Sequence, residues 1–471
     1  MSGHGPAAPS TAPADFWTLD RVAEALAGHA ASTLPRGAER LARVWTDTRS
    51  LAAGDLFVAL AGEQFDAHNF LPEAVKSGAS AIVVSRMDVA RELRVPVYHV
   101  KDTRAALGAL GRFRRRAWKG MVVGVVGTNG KTSTKELVRA ALGSRKKVHA
   151  THLNLNNLIG VPQTLLAIPD DAEVAVIEMG TNQPGEITAL RAIVEPDVVI
   201  VTSIAEEHLE GLGDLAGVMK EEMAACDGAP VVIVPGNQPD VVDEARRRAK
   251  RVIVAGLEGG DVPVRSWSID AVGAGTLEIE KLTVSVPLRG AHNLRNATLA
   301  LAVARELGVP LADAARGIAA MPLPPMRSNV ERLGGALLIN DAYNSNPGSA
   351  RAAIELLAHA GGAEARGRQR VAVLGTMLEL GPTAPRLHDE IARAALDANV
   401  DIIAGVGEFA VALQRVEAPA NRIITAPDAE SVWPELSRRL EPDAIILLKG
   451  SRGVRLERLV PHLTTWANAA T

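Results

Sequence analysis

One stretch constrains this chain more than any other. Val122-Val-Gly-Val-Val126 runs directly into Gly127-Thr-Asn-Gly-Lys-Thr132, and helical periodicity then takes over through Leu142. An apolar run without alternation reads as a strand buried on both faces, and a glycine-bearing turn between strand and helix reads as a phosphate loop. A phosphate needs backbone N–H groups that approach closely, a cation for its outer oxygens and a hydroxyl for magnesium. Gly127 and Gly130 permit the tight turn around Thr128 and Asn129, Lys131 supplies charge and Thr132 the hydroxyl. The helix N-terminus adds its dipole. The fit to G-x-x-x-x-G-K-[ST] is incomplete, because Val125 stands where the first glycine belongs. The segment is a variant phosphate loop, and it points to a nucleoside triphosphate.

Further unbroken apolar runs at 174–177, 198–201 and 231–234 are separated by helix and loop signals. Strands of that kind build a parallel sheet covered on both faces. Residues 277–284 alternate instead, which predicts an antiparallel insert. A length of 471 residues suits roughly three domains at about 150 residues each. The reading is α/β throughout: a tail over 1–15, a first module over 16–119, a central module over 120–325 and a third over 326–471. The Pro322-Leu-Pro-Pro325 stretch is a stiff hinge before the third.

Other functions are excluded by composition. A net charge of −3 gives no global attraction for nucleic acid, and 3% aromatic residues leave few stacking platforms for single strands. The Arg112-Phe-Arg-Arg-Arg116 cluster, on a predicted helix over 105–119, is read as a solvated or phosphate-facing surface rather than a nucleic-acid patch. Cys226 is the single cysteine, so no internal disulfide and no cysteine zinc site can form. No apolar run reaches the length of a membrane span, and the first residues lack the pattern of a secretory signal. A cytoplasmic, monomeric protein without nucleic-acid partner or membrane span is expected.

Magnesium near Thr132 calls for oxygen ligands. Glu178 closes the apolar run at 174–177, although a glutamate at a strand end also serves to cap a turn. His208 follows the next strand at the edge where parallel sheets gather ligands, and a lone histidine there also serves structure alone. Lys220 lies on a helix shortly afterwards, and composition reads it as a solvated lysine beside acidic neighbours.

Taken in order, these segments resemble the Mur ligase family, the ATP-dependent amide ligases of peptidoglycan precursor synthesis. The resemblance rests on Gly127–Thr132, Asn154-Leu-Asn-Asn157 with Gly160-Val-Pro162, Glu178-Met-Gly180, His208, Lys220-Glu-Glu222 and Gly290-Ala-His-Asn-Leu-Arg-Asn296. It implies a three-domain architecture with a central P-loop ATPase-like parallel sheet and a C-terminal Rossmann-like domain. By the same resemblance Lys131 holds the β- and γ-phosphates, Thr132 and Glu178 hold one magnesium ion, and His208 holds a second with Lys220 as a carbamate. Asn293 and Asn296 match positions tied to adenine, and as residues they also suit a helix cap. Arg327 would approach ATP and Asp341 its ribose or the linker. Thr48 and Arg49, in Thr46-Asp-Thr-Arg49, resemble the uridine-nucleotide segment, and Asn156 and Asn157 the substrate side.

Three C-terminal segments sharpen the resemblance toward the member that adds D-alanyl-D-alanine to UDP-N-acetylmuramoyl-tripeptide. They are Asn340-Asp-Ala-Tyr-Asn-Ser-Asn-Pro347 with Tyr343 and Asn344, Val373-Leu-Gly-Thr-Met-Leu-Glu-Leu-Gly381 followed by His388, and Leu448-Lys-Gly-Ser-Arg-Gly453. Thr376 replaces the usual Asp, and Ala67 in Asp66-Ala-His68 replaces the usual Gly. The alternative within the family is the ligase that adds a diamino acid to the UDP-muramoyl dipeptide. Outside it stand a P-loop switch, for which no Asn-Lys-x-Asp guanine signature is present, and an ATP sensor.

Overall fold

The structure is a computed structural model that describes residues 16–469 apart from 63, 64, 272, 325, 328, 366 and 399. The tail expected over 1–15 and the last proline of the expected hinge lie outside the described residues. The chain forms two compact units. The first takes in residues up to Gly124, Lys146–Gly180 and Glu186–Asp197; the second takes in Val125–Arg145, Thr181–Gly185 and residues from Val198 onward. The cut falls inside the strand Met121–Val126, so compactness does not follow the three-module division read from sequence.

The first unit opens with a four-stranded, all-parallel sheet of Val44–Trp45, Leu56–Val58, Ala81–Val84 and Val97–His99. Its two faces bury separate apolar clusters, one around Trp17, Leu26 and Tyr98, the other around Phe57, Leu71 and Ile82. The helix Thr103–Ala117 begins where Asp102 accepts from the backbone N–H groups of Arg104 and Ala105. It lies so close to the helix Gly160–Leu166 that a side chain at Gly111 would meet the backbone of Pro162 at 2.9 Å. The parallel pair Val148–Ala150 and Val174–Glu178 belongs to the same unit.

The arginine cluster on that helix is solvated only in part, as expected for Arg112 and Arg116 but not for Arg114 and Arg115. Arg112 and Arg116 both pair with Glu195, Arg115 pairs with Asp197, and buried Arg114 donates to Asp170 and to the Ile168 carbonyl, each at 2.7 Å. Every cation of the cluster has a carboxylate partner. The cluster ties the helix to the segments 168–170 and 194–197.

In the second unit the strands Val198–Val201, Val231–Pro235 and Val252–Ala255 pair in parallel, in that order. The helices Lys131–Gly143, Ala291–Glu306 and Leu311–Ala319 pack on one another; a Cβ at Gly317 would stand 2.1 Å from the Ala140 carbonyl oxygen. The expected antiparallel insert is present as Val264–Ile269, Ala274–Ile279 and Leu282–Arg289. The C-terminal sheet has six strands in the order Asn329–Leu333, Ala336–Asp341, Ile445–Lys449, Arg370–Gly375, Ile402–Val406 and Ile423–Ala426. Its first pair is antiparallel and the rest are parallel. This is an open α/β sheet of Rossmann-like kind, and its ligands belong at the carboxyl ends of the strands. Among the described residues no helix is long and apolar enough to cross a membrane.

Arg114 and Arg116 separate structural from peripheral ion pairs. Arg114→Ala, which leaves a buried carbonyl short of its donor, is expected to cost about 2 kcal/mol. Arg116→Ala, on an exposed pair, is expected to cost under about 1 kcal/mol. Urea unfolding midpoints read both, and equal losses would contradict the assignment.

Candidate functional site

The phosphate loop takes its shape from two left-handed glycines, Gly127 at φ +115 and Gly130 at φ +83. Neither tolerates a side chain. A Cβ at Gly127 would stand 2.5 Å from the Thr202 hydroxyl, and one at Gly130 would stand 2.8 Å from the Asn296 amide. Val125 needs no such freedom, because the strand continues through Val126; the missing first glycine is therefore harmless. Ser203 anchors the turn: its carbonyl accepts from the Thr128 N–H at 2.8 Å and its hydroxyl from the Asn129 N–H at 3.2 Å. The Gly127 N–H donates to the carboxylate of Glu222 at 2.8 Å.

Lys131 donates to the carbonyl of Gly127 and, at 3.2 Å, to that of Thr128. Its ammonium lies 3.8 Å from Glu207, a buried residue that sequence reasoning did not single out. The Oε2 of Glu207 has no hydrogen-bond partner, while its Oε1 accepts from Asn344 at 3.2 Å. The signal for Glu207 was its place directly before His208 at a strand's carboxyl edge. His208 itself has φ +52, a left-handed backbone in a non-glycine residue. Its Nδ1 pairs with Glu379, another residue not singled out. Burial works against charge on His208, but the Glu379 hydrogen bond and the Glu207 carboxylate outweigh it and hold the imidazole above its ordinary value. The same pair holds Glu379 below the usual carboxylate range, against its partial burial.

The C-terminal module meets this loop at several points. Arg327 donates to the Thr132 hydroxyl at 2.9 Å and lies 4.4 Å over the ring of Tyr343. Asn346 donates to Asn129 at 2.8 Å and caps the helix Pro347–His359. Buried Lys449 bridges Asp341, at 2.7 Å, to the Asn344 carbonyl. Thus Tyr343 supports Arg327, and Asn344 orients Glu207. Asn293 and Asn296 do not cap their helix. That helix starts at Ala291 with Gly290 before it and no side-chain cap; Asn293 donates to the Arg289 carbonyl, and Asn296 to Asn293.

In the first unit, buried Glu178 accepts from Asn156 at 3.0 Å, and its N–H donates to the Thr151 hydroxyl. Asn156 therefore positions Glu178. Asn157 accepts from the N–H groups of Ile159 and Gly160, which starts the helix Gly160–Leu166. Thr48 opens a short 3-10 turn, and Arg49 forks onto neighbouring Asp47. The two departures from the family pattern have structural roles. Thr376 accepts from the Glu408 N–H at 2.9 Å beside left-handed Gly407. Ala67 is buried in a turn that Asp66 and His68 close on each other.

Donor chemistry tests the fit of a divalent cation. Glu207 offers a buried carboxylate oxygen without a hydrogen-bond partner and Thr132 a hydroxyl, hard oxygen donors that suit magnesium, and the softer His208 imidazole stands beside them. Among the described residues no three His, Cys, Asp or Glu side chains already form a metal cage. Magnesium does not require one, since it keeps waters and takes phosphate oxygens as ligands. A carbamate on Lys220 does not fit: Lys220 is exposed on the helix Leu215–Met223, whose buried residues include Glu221 and Glu222.

The fold and loop define a P-loop α/β protein of nucleotide-binding type. Residues 41–115 match the description "Mur ligase family, catalytic domain", 125–304 "Mur ligase middle domain" and 326–452 "Mur ligase, glutamate ligase domain". The UDP-N-acetylmuramoyl-tripeptide–D-alanyl-D-alanine ligase of Bacillus subtilis is 32% identical over 89% of this chain and 92% of that protein. The crystal structure of MurF from Acinetobacter baumannii is 30% identical, with TM-score 0.86 over 95% of this chain and 99% of that one. MurF ligase from Thermotoga maritima, solved in complex with ADP, is 28% identical with TM-score 0.79, covering 91% and 98%. The chain belongs to the Mur ligase family.

His388 yields a prediction for pH. Its Nε2 accepts from the Met377 N–H at 2.9 Å and its Nδ1 donates to the Ala384 carbonyl, so the neutral ring is built in. Burial pushes its value below the ordinary 6.5, with the Ala384 hydrogen bond opposing. Above 6.5 its contribution to stability is complete, and it is lost as pH falls from there through the lower folded value. In unfolding experiments from about pH 8 to about pH 5, His388→Gln should lose less stability than the wild type over that descent. Parallel curves would contradict this.

Proposed function

We propose that this chain joins D-alanyl-D-alanine to UDP-N-acetylmuramoyl-tripeptide at the expense of ATP, as a cytoplasmic monomer, giving the pentapeptide precursor of peptidoglycan. The observation that carries the reading is the junction between the 340–347 segment and the phosphate loop. Asn346 bonds Asn129 and Asn344 bonds Glu207 there. That segment resembles the signature of the dipeptide-adding ligase, and the proteins bearing that name align along nearly the whole chain.

A carboxylate is a poor acyl donor because its leaving oxide is strongly basic. Transfer of the γ-phosphoryl group of ATP to an oxygen of the tripeptide's terminal carboxylate makes an acyl phosphate and ADP. The dipeptide amine then attacks the carbonyl carbon, the C–O bond to phosphate breaks, and the amine loses its proton as the amide forms. Lys131 holds the phosphate oxygens, and the Gly127–Thr132 backbone cradles them. Arg327, steadied by the Tyr343 ring, reaches the same face of Thr132 and offsets charge on the transferring group. Asn293 and Asn296 serve the adenine, and Asp341, held by Lys449, the ribose.

Two magnesium ions, when bound, neutralise charge on the phosphates. By the family resemblance Thr132 and Glu178 would hold one and His208 the other, with the Glu207 carboxylate beside His208. The first module, with Thr48 and Arg49, holds the uridine diphosphate end. Nucleotide, carboxylate and amine come from different modules, and closure of the C-terminal module excludes water before turnover.

Phosphate release with ATP, UDP-muramoyl tripeptide and D-alanyl-D-alanine, each omitted in turn, tests the reading. Release should require all three and yield the pentapeptide by mass. Lys131→Ala and Arg327→Ala should each lower kcat about 100-fold or more. Turnover only with a dipeptide and a diamino acid would replace this reading with the sister ligase.

A further inference from the structure

The family resemblance places a lysine carbamate on the His208 side of the phosphate loop, and the helix Leu215–Met223 carries the residue expected to bear it. The geometry of that helix decides against Lys220. At 3.6 residues per turn, positions two apart project about 200° away from each other. Glu222 is fixed by its hydrogen bond to the Gly127 N–H, at 2.8 Å, and is 2% exposed. Lys220 therefore leaves the helix on the far side, and it is exposed. Between them Glu221 accepts from the Thr181 hydroxyl at 3.2 Å and the Gly185 N–H at 2.7 Å, which locks the rotation of the helix.

A carbamate on lysine does one chemical thing: it puts an anionic oxygen where an ammonium would repel a cation. Glu222 already has that oxygen. It needs no carbon dioxide, and it reaches the first residue of the loop without a long side chain. Nearby stands Glu207, 6% exposed, with an oxygen that has no hydrogen-bond partner. Two buried carboxylates beside one lysine are unfavourable unless a further cation joins them. The unpartnered oxygen of Glu207 is the group that such a cation would take up.

We propose that Glu222, and not a carbamylated Lys220, supplies the fixed anionic oxygen for the metal on the His208 side of the loop, so that metal loading in this chain is independent of carbon dioxide. The inference rests on the ATP-dependent reading above and deepens it.

The test uses the full chain with Mn²⁺ as the metal and a nonhydrolysable ATP analogue. Electron paramagnetic resonance reads bound Mn²⁺, and carbon-13 NMR after incubation with labelled bicarbonate reads carbamate. In the wild type no carbamate resonance is expected, and stripping carbon dioxide should leave Mn²⁺ affinity unchanged. Lys220→Ala should bind Mn²⁺ within about 2-fold of the wild type, whereas Glu222→Gln should weaken the second Mn²⁺ by about 100-fold, at the upper end of losses from removed metal-site partners. A carbamate resonance that disappears in Lys220→Ala, or Mn²⁺ binding that fails without carbon dioxide, overturns the proposal. Equal Mn²⁺ affinity in Glu222→Gln and wild type also overturns it, leaving Glu222 a support of Gly127 alone. The wild-type measurements hold even if Glu222→Gln folds poorly, which thermal unfolding would reveal. Absence of analogue binding in the wild type would defeat the ATP reading itself, and that outcome is distinct from carbamate formation with normal binding.

Discussion

The phosphate-loop region of the second unit is organised around the anchoring of one turn. Gly127 and Gly130 give the loop a backbone that side chains would forbid, but glycine freedom alone makes a floppy turn. Ser203, using both its carbonyl and its hydroxyl, and Glu222, using its carboxylate, convert that freedom into one conformation. The anchors come from the residue two past the end of the strand Val198–Val201 and from the helix Leu215–Met223, elements with buried apolar residues. A phosphate loop must be rigid before the anion arrives, because preorganised donors cost no reordering when charge develops. Packing of the sheet is thus transmitted to the phosphate oxygens through a handful of hydrogen bonds.

The C-terminal module reads the state of that loop with polar side chains. Arg327, Asn344 and Asn346 and the Glu379 carboxylate each end on a residue of the loop or of its carboxyl-edge cluster. Such contacts are directional and individually modest. A module attached this way can shift when a ligand offers the same donors and acceptors better partners. An apolar seam of the same area would have to be torn open. The polar character of the junction is therefore what suits it to the proposed reaction, in which separate modules would collect the components.

The parallel strands, the insert, the loop and the order of the family segments were legible in the sequence because each depends on local pattern: apolar runs, alternation and glycine spacing. The face on which a helical residue stands is less legible when a motif is matched by residue type. Lys220-Glu-Glu222 has the right letters in the right place, and the structure turns Lys220 outward and Glu222 inward. Glu207 and Glu379 escaped notice because carboxylates are common, and only burial and the approach of a distant loop make these two unusual. The pairing of the arginines at 112–116 was hidden for the converse reason: their partners Asp170, Glu195 and Asp197 are more than fifty residues away. Asn293 and Asn296 looked like caps, but the helix begins two residues before Asn293.

Charge balance links these observations. Around the loop stand Glu207, Glu222 and Glu379 with Lys131, His208 and Arg327, and Glu207 and Glu222 are buried. Burial raises the carboxyl of Glu222, with Lys131 and the Gly127 N–H acting in the opposite direction. Carboxylates gathered at low dielectric are stable only with positive charge beside them. Protons can supply it, and so can a divalent ion, which also recruits the phosphates that no carboxylate would otherwise tolerate nearby. In the proposed reaction the carboxylates beside Lys131 would thus favour a nucleotide that arrives with its metal over a bare polyphosphate. That preference suits the proposed ATP-dependent ligation.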